Sequence, residues 1–377
     1  MSWPLAKLDN HVDILSGFAF KSENFNDRGE GLPLVRIRDV VPGVSDTYYS
    51  GEYSSEFLLS DGDLLVGMDG DFNRARWNGG QALLNQRVCK VTAKGESLDQ
   101  GYLYHFLPKA LDKIHAETPA VTVKHLSVKG IRAIEIPLPP LPEQKRIAAI
   151  LDKADAIRRK RQQAIQLADD FLRAVFLDMF GDPVTNPKGW PVDKFGNVFD
   201  VRDGTHDSPS YVSSGFPLVT SKNIKNGEID MSDVNYISKE DYELINRRSK
   251  VDVGDILMPM IGTIGNPAIV RDEPLFAIKN VALIKLGRSS PPAGFVLALL
   301  NGPLLETAVQ QKSRGGTQKF LGLGDIRDLN CYLPDERLVS KYIGIANKVR
   351  QFASAYRRAV EADLEASLSQ KAFSGQL

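Results

Sequence analysis

The chain has 377 residues. This length predicts at least two hydrophobic cores, because single cores stop growing at roughly 250 to 300 residues. Its 42% apolar and 25% charged residues are ordinary for a globular protein and argue against disorder or a fibrous repeat. A formal net charge of zero argues against a general polyanion binder, but it allows a basic surface balanced by acidic patches elsewhere.

The chain starts with "MSWPLAKLDN", which contains no apolar targeting segment, and no later run is long enough for a spanning helix. We therefore expect an untargeted, cytoplasmic protein with no membrane association. Short apolar runs such as "PLVRI", "DLLVGM" and "RVCKV" then predict strands separated by turns, and a helix is predicted from Tyr102 to Ile114. This pattern is typical of an α/β domain.

The prolines of "PLPPLPEQ" end the last of these strands, because proline fixes its own φ and favours extended backbone in the residue before it. The apolar period then becomes helical from Glu143 to Phe180, where Gly181 and Pro183 stop the helix. At 1.5 Å per residue this helix is roughly 57 Å long, so it needs a partner helix. The predicted contact seam contains Ile147, Ile150, Ala154, Ile157, Arg161, Ala164, Ala168, Phe171 and Val175.

The second half repeats the first. "GLPLVRIRDVVPG" at Gly31 matches "GFPLVTSKNIKNG" at Gly215, and "GDLLVGMDG" at Gly62 matches "GDILMPMIG" at Gly254. "TVKHLSVKGIRAIEIPLP" at Thr122 matches "TQKFLGLGDIRDLNCYLP" at Thr317. Because the matches keep their order, the chain is a tandem duplication of about 190 residues.

The second copy predicts strands at "PLVTS", "DILMPMI" and "VALIKL", and a helix from Phe295 to Gln311. A second long helix follows "YLPDERLVSKY", with a predicted seam at Leu338, Tyr342, Ile345, Val349, Phe352, Tyr356 and Ala359. The only cysteines, Cys89 and Cys331, lie in predicted strands and form no C-x-x-C pair. They are expected to be small core residues.

We call the α/β region before each long helix a head. The chain resembles the specificity subunit of type I DNA restriction-modification systems in the order of its segments: first head, "LPPLPEQKRIAAIL", long helix, "FGDP", second head and second helix. "GFAFKSENF", "DGTHDSP", "GTIG" and "QKFLGLGDIRDL" are also similar to segments of its recognition domains. The second spacer departs from the family's "PPLPEQ" form and reads "YLPDERLVSKY".

The resemblance implies an α+β fold with two homologous α/β target-recognition domains, joined by two long antiparallel spacer helices with pseudo-twofold symmetry. The corresponding segments are 1–140, 141–181, 182–334 and 335–377. It implies double-stranded DNA as ligand, two methyltransferase subunits that use S-adenosylmethionine, and restriction subunits that use ATP and Mg²⁺. The subunit itself is expected to carry no catalytic site, cofactor or metal.

The residues agree with that expectation. The sequence has no phosphate-binding G-x-x-x-x-G-K-[ST] loop, no dinucleotide fingerprint and no H-E-x-x-H pair. "DGDFNRARWNGG" begins like a calcium loop, but Arg74 and Gly80 replace the glycine and glutamate that such a loop needs. Two alternatives stay open: a protein scaffold that holds two partners without reading DNA, and a recognition half of a fused restriction-methylation enzyme.

DNA recognition requires cationic and amide side chains on loops, because these contact phosphates and the edges of bases. In the first head the candidates are Lys21, Ser22, Arg36, Arg38, Asn73, Arg74, Arg76 and Lys124. In the second head they are Thr205, His206, Ser208, Lys222, Asn223, Thr263, Asn266, Arg314, Gln318 and Lys319. Lys124 and Lys319 occupy equivalent positions in the repeat, as do Arg132 and Arg327.

Some of these features also have a structural interpretation. "GDLLVG" and "GDILMP" fit turns that lead into buried strands, and Arg132 and Arg327 fit ion pairs inside the heads. The "DFNRARWNGG" segment is predicted to be a DNA-contacting loop, because Asn, Arg and Trp occur together in it. "RRKR" at Arg158–Arg161 fits either a solvated helix face or contacts with phosphates or with an acidic partner surface.

Overall fold

The structure is a computed structural model that describes residues 3–119, 123–225, 227–261, 264–287, 290–312, 320–361 and 364–377. The chain divides into two compact units. The first contains Met1–Gln162 and Arg358–Leu377, and the second contains Gln163–Arg357. The division of the chain into four segments, inferred from the family resemblance, stays a prediction.

The strands of the first unit are β1 (Leu5–Lys7), β2 (Val12–Ser16), β3 (Phe25–Asn26), β4 (Leu32–Val35), β5 (Tyr48–Tyr49), β6 (Leu58–Leu59), β7 (Leu64–Gly67), β8 (Arg74–Arg76), β9 (Ala82–Leu84), β10 (Val88–Ala93) and β11 (Glu135–Pro137). They form an antiparallel sheet β2-β10-β7-β8, a mixed sheet β3-β5-β4-β9-β6 and the pair β1-β11.

The strands of the second unit are β12 (Val192–Lys194), β13 (Asp200–Asp203), β14 (Tyr211–Val212), β15 (Phe216–Val219), β16 (Ile224–Lys225), β17 (Glu228–Ile229), β18 (Asn235–Ile237), β19 (Ile256–Pro259), β20 (Ala268–Ile269), β21 (Ala277–Ile278), β22 (Val281–Lys285) and β23 (Asn330–Tyr332). Their sheets are β13-β22-β19-β20, β14-β18-β15-β21, β12-β23 and β16-β17.

The helices are α1 (Gln100–Glu117), α2 (Val128–Arg132), α3 (Leu141–Phe180), α4 (Phe195–Val198), α5 (Lys239–Ser249), α6 (Ala293–Leu300), α7 (Pro303–Lys312), α8 (Leu323–Arg327), α9 (Glu336–Glu361) and α10 (Leu364–Ser374). The helix predicted from Phe295 to Gln311 is wrong as a single element. It is divided into α6 and α7, because Gly302 and Pro303 interrupt the helical hydrogen bonds.

The tandem repeat predicted from sequence is confirmed by the topology. The sheet β2-β10-β7-β8 has the same strand order as β13-β22-β19-β20, and the parallel pair β4-β9 corresponds to β15-β21. In both copies a 3-10 helix follows the parallel strand, at Ile37–Asp39 and at Ser221–Asn223. Both heads therefore have the same fold, even where their sequences differ.

The "GDLLVG" and "GDILMP" segments are turns that lead into buried strands, as predicted. Gly62 and Gly254 have φ angles of 94° and 93°, in the left-handed region that glycine accepts without strain. All residues of β7 and β19 are buried. The cysteine prediction is also confirmed: Cys89 and Cys331 are both fully buried, and burial raises the pKa of each thiol to about 12.

Helix α3 starts directly after Pro140, whose carbonyl accepts hydrogen bonds from the amides of Glu143 and Gln144. The side chain of Gln144 is buried and joins this start to the first head. Its amide donates to the carbonyls of Pro139 and Ser97, at 2.8 and 3.1 Å. The "PPLPEQ" segment thus fixes the direction in which the helix leaves the head.

Each unit contains part of α3 and part of the C-terminal helical region in contact. In the first unit Arg161 donates to the carbonyl of Ala359 and Arg146 to that of Leu377. In the second unit Asp169 pairs with Arg357, and Phe180 contacts Tyr342. In both units residue numbers rise along one helix as they fall along the other, so the paired segments run antiparallel.

The predicted seams are partly wrong. Ile157, Phe171 and Phe352 are 44%, 51% and 54% exposed. Ile147, Ala154, Ala168 and Tyr342 are buried as predicted. The seams missed other buried residues, which include Leu172, Phe176 and Phe180 of α3 and Val339, Ala346 and Ala353 of α9. At Phe171 and Phe352 the buried residue is the next one along the chain, Leu172 and Ala353, which lies about 100° around the helix.

Among the described residues, no single helix is both long and apolar enough to cross a bilayer. Within the described ranges, only α6 and α7 taken together pass that test, and they are bent by 43°. Phe295, Leu299 and Leu300 of α6 lie in the core of the second unit.

Candidate nucleic-acid interface

Four loops of the first unit meet at one end of the sheet β2-β10-β7-β8. The backbone amide of Gln86 donates to the carbonyl of Phe18, and that of Met68 donates to the carbonyl of Arg87. The amide of Gly70 donates to Lys124 at 3.0 Å. We call residues 17–24, 68–73, 85–87 and 123–125 the first edge. The backbone hydrogen bonds hold loops from distant parts of the sequence together on one surface.

The second unit has an equivalent arrangement. The backbone amide of Thr205 donates to the carbonyl of Ile278, and that of Asn280 donates to the carbonyl of Thr205. The amide of Leu321 donates to the carbonyl of Met260. We call residues 204–208, 260–261, 279–280 and 320 the second edge. Both edges contain the same three parts: the loop after β2 or β13, the loop after the buried strand β7 or β19, and the turn before the central strand β10 or β22.

Several predicted residues of the first head are exposed at or near this edge. Lys21, Ser22 and Asn73 are exposed, and Ser22 starts a short 3-10 helix. Lys124 is half-buried, and its ammonium donates to the carbonyl of His115. Lys21, Ser22 and Asn73 therefore remain available for contacts with DNA.

Arg36 and Arg38 lie in the loop after β4. The amide of Arg36 is hydrogen-bonded by the Asp39 carboxylate at 2.9 Å, which fixes the turn. The Arg38 side chain is 63% exposed, and its guanidinium lies 3.6 Å from the Asp39 carboxylate and donates to the Thr47 hydroxyl. Arg38 is thus an exposed cation with weak internal partners.

Arg74 and Arg76 are not in a loop, so that part of the "DFNRARWNGG" prediction is wrong. They belong to β8, because Val66 and Leu64 of β7 pair with them in an antiparallel hairpin. Both guanidiniums lie over the Tyr104 ring, at 3.8 and 4.1 Å from its centroid. Trp77 is also not exposed: it is buried, and its indole N–H donates to Gly80.

Arg76 connects the head to helix α3. Its guanidinium donates to Asp152 Oδ1 at 3.0 Å, and His105 Nε2 lies 2.9 Å from the same oxygen. Burial lowers the pKa of His105, so the ring is neutral near pH 7 and donates from Nε2 to Asp152. Desolvation raises the pKa of Asp152, but His105 and Arg76 outweigh it and hold that pKa below its usual range. This network has a structural role.

Arg132, noted at an equivalent position to Arg327, forms an ion pair with Asp9 at 2.9 Å. Arg327 donates to the carbonyl of Val201, not to a carboxylate. Both interactions are internal to a head. In the "RRKR" run, Arg159 pairs with Asp155 of the preceding turn at 3.1 Å.

In the second head, His206 lies between two oxygen atoms. Nε2 is 2.7 Å from Asp203 Oδ2, and Nδ1 is 2.8 Å from Asn280 Oδ1. These hydrogen bonds, to Asn280 first and to Asp203, raise the pKa of His206, because both ring nitrogens must donate. Arg248 also pairs with Asp203, at 2.6 Å. One buried carboxylate thus pairs with two exposed side chains, His206 and Arg248.

The remaining residues of the second head differ in exposure. Ser208 accepts a hydrogen bond from Lys279, and Lys222 pairs with Asp233. Thr205 is half-buried and Asn266 is exposed, with Asn266 at a φ of 50°. Thr263, Arg314, Gln318 and Lys319 lie outside the described residues.

The prediction for Asn223 conflicts with its burial. The residue is 2% exposed, its amide donates to the carbonyls of Asp230 and Asp233, and its oxygen accepts from Thr220. No polar atom of this side chain is left for a base. Asn223 stabilises the turn after β15, because Ser221–Asn223 form a 3-10 helix whose first amides need acceptors.

Sequence reasoning missed the turn before the central strand. This turn contains Arg87 in the first head and Asn280 in the second, and both have left-handed backbones, with φ angles of 70° and 54°. Lys279 and Arg248 are further missed cations of the second head. A signal was present: polar "NQR" and "KN" each separate two apolar runs at equivalent places in the repeat.

Among the residues that the structure describes, no group of three or more His, Cys, Asp or Glu side chains could hold a metal ion. The chemistry that both edges offer is hydrogen bonding and positive charge, which suits phosphates and base edges.

Comparisons with known proteins agree with this chemistry. Residues 2–167 match the type I restriction modification DNA specificity domain. The specificity subunit of the type I restriction enzyme EcoBI from Escherichia coli is 32% identical over all of this chain and 86% of its own length. The MjaVIII specificity subunit from Methanocaldococcus jannaschii is 23% identical over 84% of this chain and 86% of its own length.

A solved structure supports the fold. The type I restriction-modification S subunit from M. genitalium aligns with 99% of this chain and 96% of its own length, with a TM-score of 0.59 and 15% identity. The identity to the EcoBI subunit over the whole chain, together with the duplicated heads and their polar edges, leads to one conclusion. This chain belongs to the family of type I restriction enzyme specificity subunits.

Proposed function

We propose that this chain is the sequence-specific DNA-binding specificity subunit of a type I restriction-modification complex. The observation that carries the proposal is its family membership over the whole chain, combined with two heads of the same topology. Each head reads one half of a bipartite DNA target through its own edge. Because the loops of the two edges differ in sequence, the two half-sites differ as well.

The long helices set the distance between the half-sites. Helix α3 has 40 residues. At 1.5 Å per residue it is about 60 Å long. In this proposal the two spacer helices lie antiparallel with pseudo-twofold symmetry, so that the heads stand apart and the base pairs between the half-sites are not read. The antiparallel segments inside each unit support this arrangement.

The partners in this proposal are two methyltransferase subunits and the restriction subunits. The methyltransferases bring S-adenosylmethionine, and the restriction subunits bring ATP and Mg²⁺. This chain supplies recognition and docking and carries out no chemical step.

A head replacement tests independent reading. Residues 182–334 are replaced by the corresponding segment of another specificity subunit, and adenines methylated by the assembled complex are mapped by sequencing. We expect one half-site to change while the other half-site and the spacer length stay the same. The matched control replaces residues 1–140 and is expected to change the opposite half-site. Changes in both half-sites from either replacement would refute independent reading.

A paired insertion tests the spacing. One helical turn of four residues is inserted after Gln163, and another after Arg357. The pairs Arg161–Ala359 and Asp169–Arg357 then each stay in register. Four residues add about 6 Å, which corresponds to about two base pairs at 3.4 Å each. The unread spacer should lengthen while both half-sites are retained. Altered half-sites with an unchanged spacer would show that the helices do not set the distance.

A salt titration separates a DNA reader from a protein scaffold. Reversing the charge of Arg74 and Arg76 is unsuitable, because it would also break the contacts with Tyr104 and Asp152. The variant Lys21→Glu/Arg38→Glu changes exposed cations instead, and Arg28→Glu is a control in the same head. If the chain reads DNA, the double variant loses affinity, and the slope of log K against log salt concentration becomes shallower by about two. A scaffold shows no difference between the double variant and the control.

A further inference from the structure

Arg87 occupies a backbone conformation that does not favour arginine. It lies in the turn between β9 and β10, with a φ of 70°. Glycine accepts this region without strain, whereas a residue with a Cβ does not. The equivalent turn of the second head places Asn280 at 54°. Asparagine adopts this region readily, so the strain is particular to Arg87, although both turns have a polar side chain at the same place. A strained residue that keeps a long polar side chain indicates a role for that side chain.

The side chain of Arg87 is held by the surface around it. Its Nε lies 3.6 Å from Asp69 Oδ2, and Asp69 Oδ1 is 2.6 Å from His125 Nδ1. The Arg87 side chain is 57% exposed, whereas the Asp69 side chain is 26% exposed. Asp69 contacts the guanidinium at Nε, His125 Nδ1 lies 3.5 Å from Nη1, and more than half of the Arg87 side chain is accessible to solvent.

The second edge repeats this arrangement with different residues. Asp203 is 6% exposed and holds His206, which in turn contacts the turn residue Asn280. In each head a partly or fully buried carboxylate, a histidine and the turn residue form one cluster. The clusters come from different sequence positions, but both lie beside the left-handed turn.

We propose that Arg87 reads a base of the first half-site, and that Asp69 and His125 are positioning residues that aim its guanidinium. An arginine fork matches guanine O6 and N7 in the major groove, so the base read is guanine. Asn280 takes the corresponding place in the second head, where an amide matches adenine N6 and N7. This inference rests on the proposed DNA-reading function.

The test uses the variants Arg87→Gly and Arg87→Lys in the complex with its methyltransferase partners. Methylation is measured on a library in which each base pair of the first half-site is randomised. Arg87→Gly should reduce the preference for G·C at one position by roughly 5- to 150-fold, with the second half-site unchanged. Its thermal midpoint should not fall, because glycine adopts this φ freely. Arg87→Lys should weaken the preference less than Arg87→Gly and keep affinity for DNA, because an ammonium still donates to guanine but lacks the planar fork.

Arg28→Ala is the matched control, because Arg28 is also exposed and lies 3.6 Å from a carboxylate, that of Glu30. It should leave every base preference unchanged. Two results would overturn the proposal: uniformly weaker binding with all preferences kept, which indicates a phosphate contact, and a lower thermal midpoint with equal losses at both half-sites. Failure of the proposed function is distinguishable, because the unsubstituted complex would then methylate no bipartite sequence.

Discussion

Phe180 ends helix α3 in the core of the second unit, and its truncation should destabilise that unit strongly. The side chain is fully buried, with its ring centroid 5.0 Å from Phe176, 5.1 Å from Phe295 and 5.6 Å from Tyr342. Phe→Ala at such a site costs about 3 to 5 kcal/mol, because transfer energy is lost and a cavity remains. With a urea slope of about 2 kcal/mol/M, the midpoint should fall by about 1.5 to 2.5 M.

The control is Phe171→Ala on the same helix. Phe171 is 51% exposed, so the same chemical change there should cost under about 1 kcal/mol. Unfolding is followed by urea titration with tryptophan fluorescence, and Trp190 of the second unit contributes to the signal because its indole donates to the carbonyl of Phe180. Equal midpoints for the two variants, or a larger loss for Phe171→Ala, would refute the burial reasoning.

Three further predictions concern the polar clusters. Asp152→Asn should lower the stability of the first unit by about 1 to 3 kcal/mol in a thermal melt, because His105 and Arg76 lose their shared carboxylate; an unchanged melting point would contradict this. His206 has a raised pKa in the folded state, so its stabilising contribution is complete below its unfolded value near 6.5 and is lost as pH rises through the folded pKa. His206→Gln should remove that pH dependence in denaturation measured from pH 5 to 9, and an identical pH profile would exclude the effect. Asn223→Ala should cost about 2 to 3 kcal/mol in urea unfolding, because two carbonyls and one amide lose a buried partner.

The sequence alone determined the features that depend on local patterns. The repeat was visible because both copies keep the same strand and turn residues in the same order, and the topology confirms it. The ends of α3 were predicted to within about two residues, because proline and glycine act on the backbone next to them. The burial of Cys89 and Cys331 followed from their apolar neighbours in predicted strands.

The roles of single polar residues could not be predicted in the same way. Arg76 and Asn223 were reasonable DNA candidates by residue type, but Arg76 pairs with Asp152, 76 positions later, and Asn223 is buried. Arg87 was missed, because its position beside Asp69 and His125 arises only when two loops and the turn meet at one end of the sheet.

Sequence periodicity therefore determined which elements form, and tertiary packing decided which faces and side chains remain exposed. Phe171 and Phe176 illustrate the difference: both are apolar residues of one helix, yet one is 51% exposed and the other 3%. The physical reason is that helix and strand formation depend on neighbouring residues along the chain, whereas burial and pairing depend on residues that only the folded chain brings together.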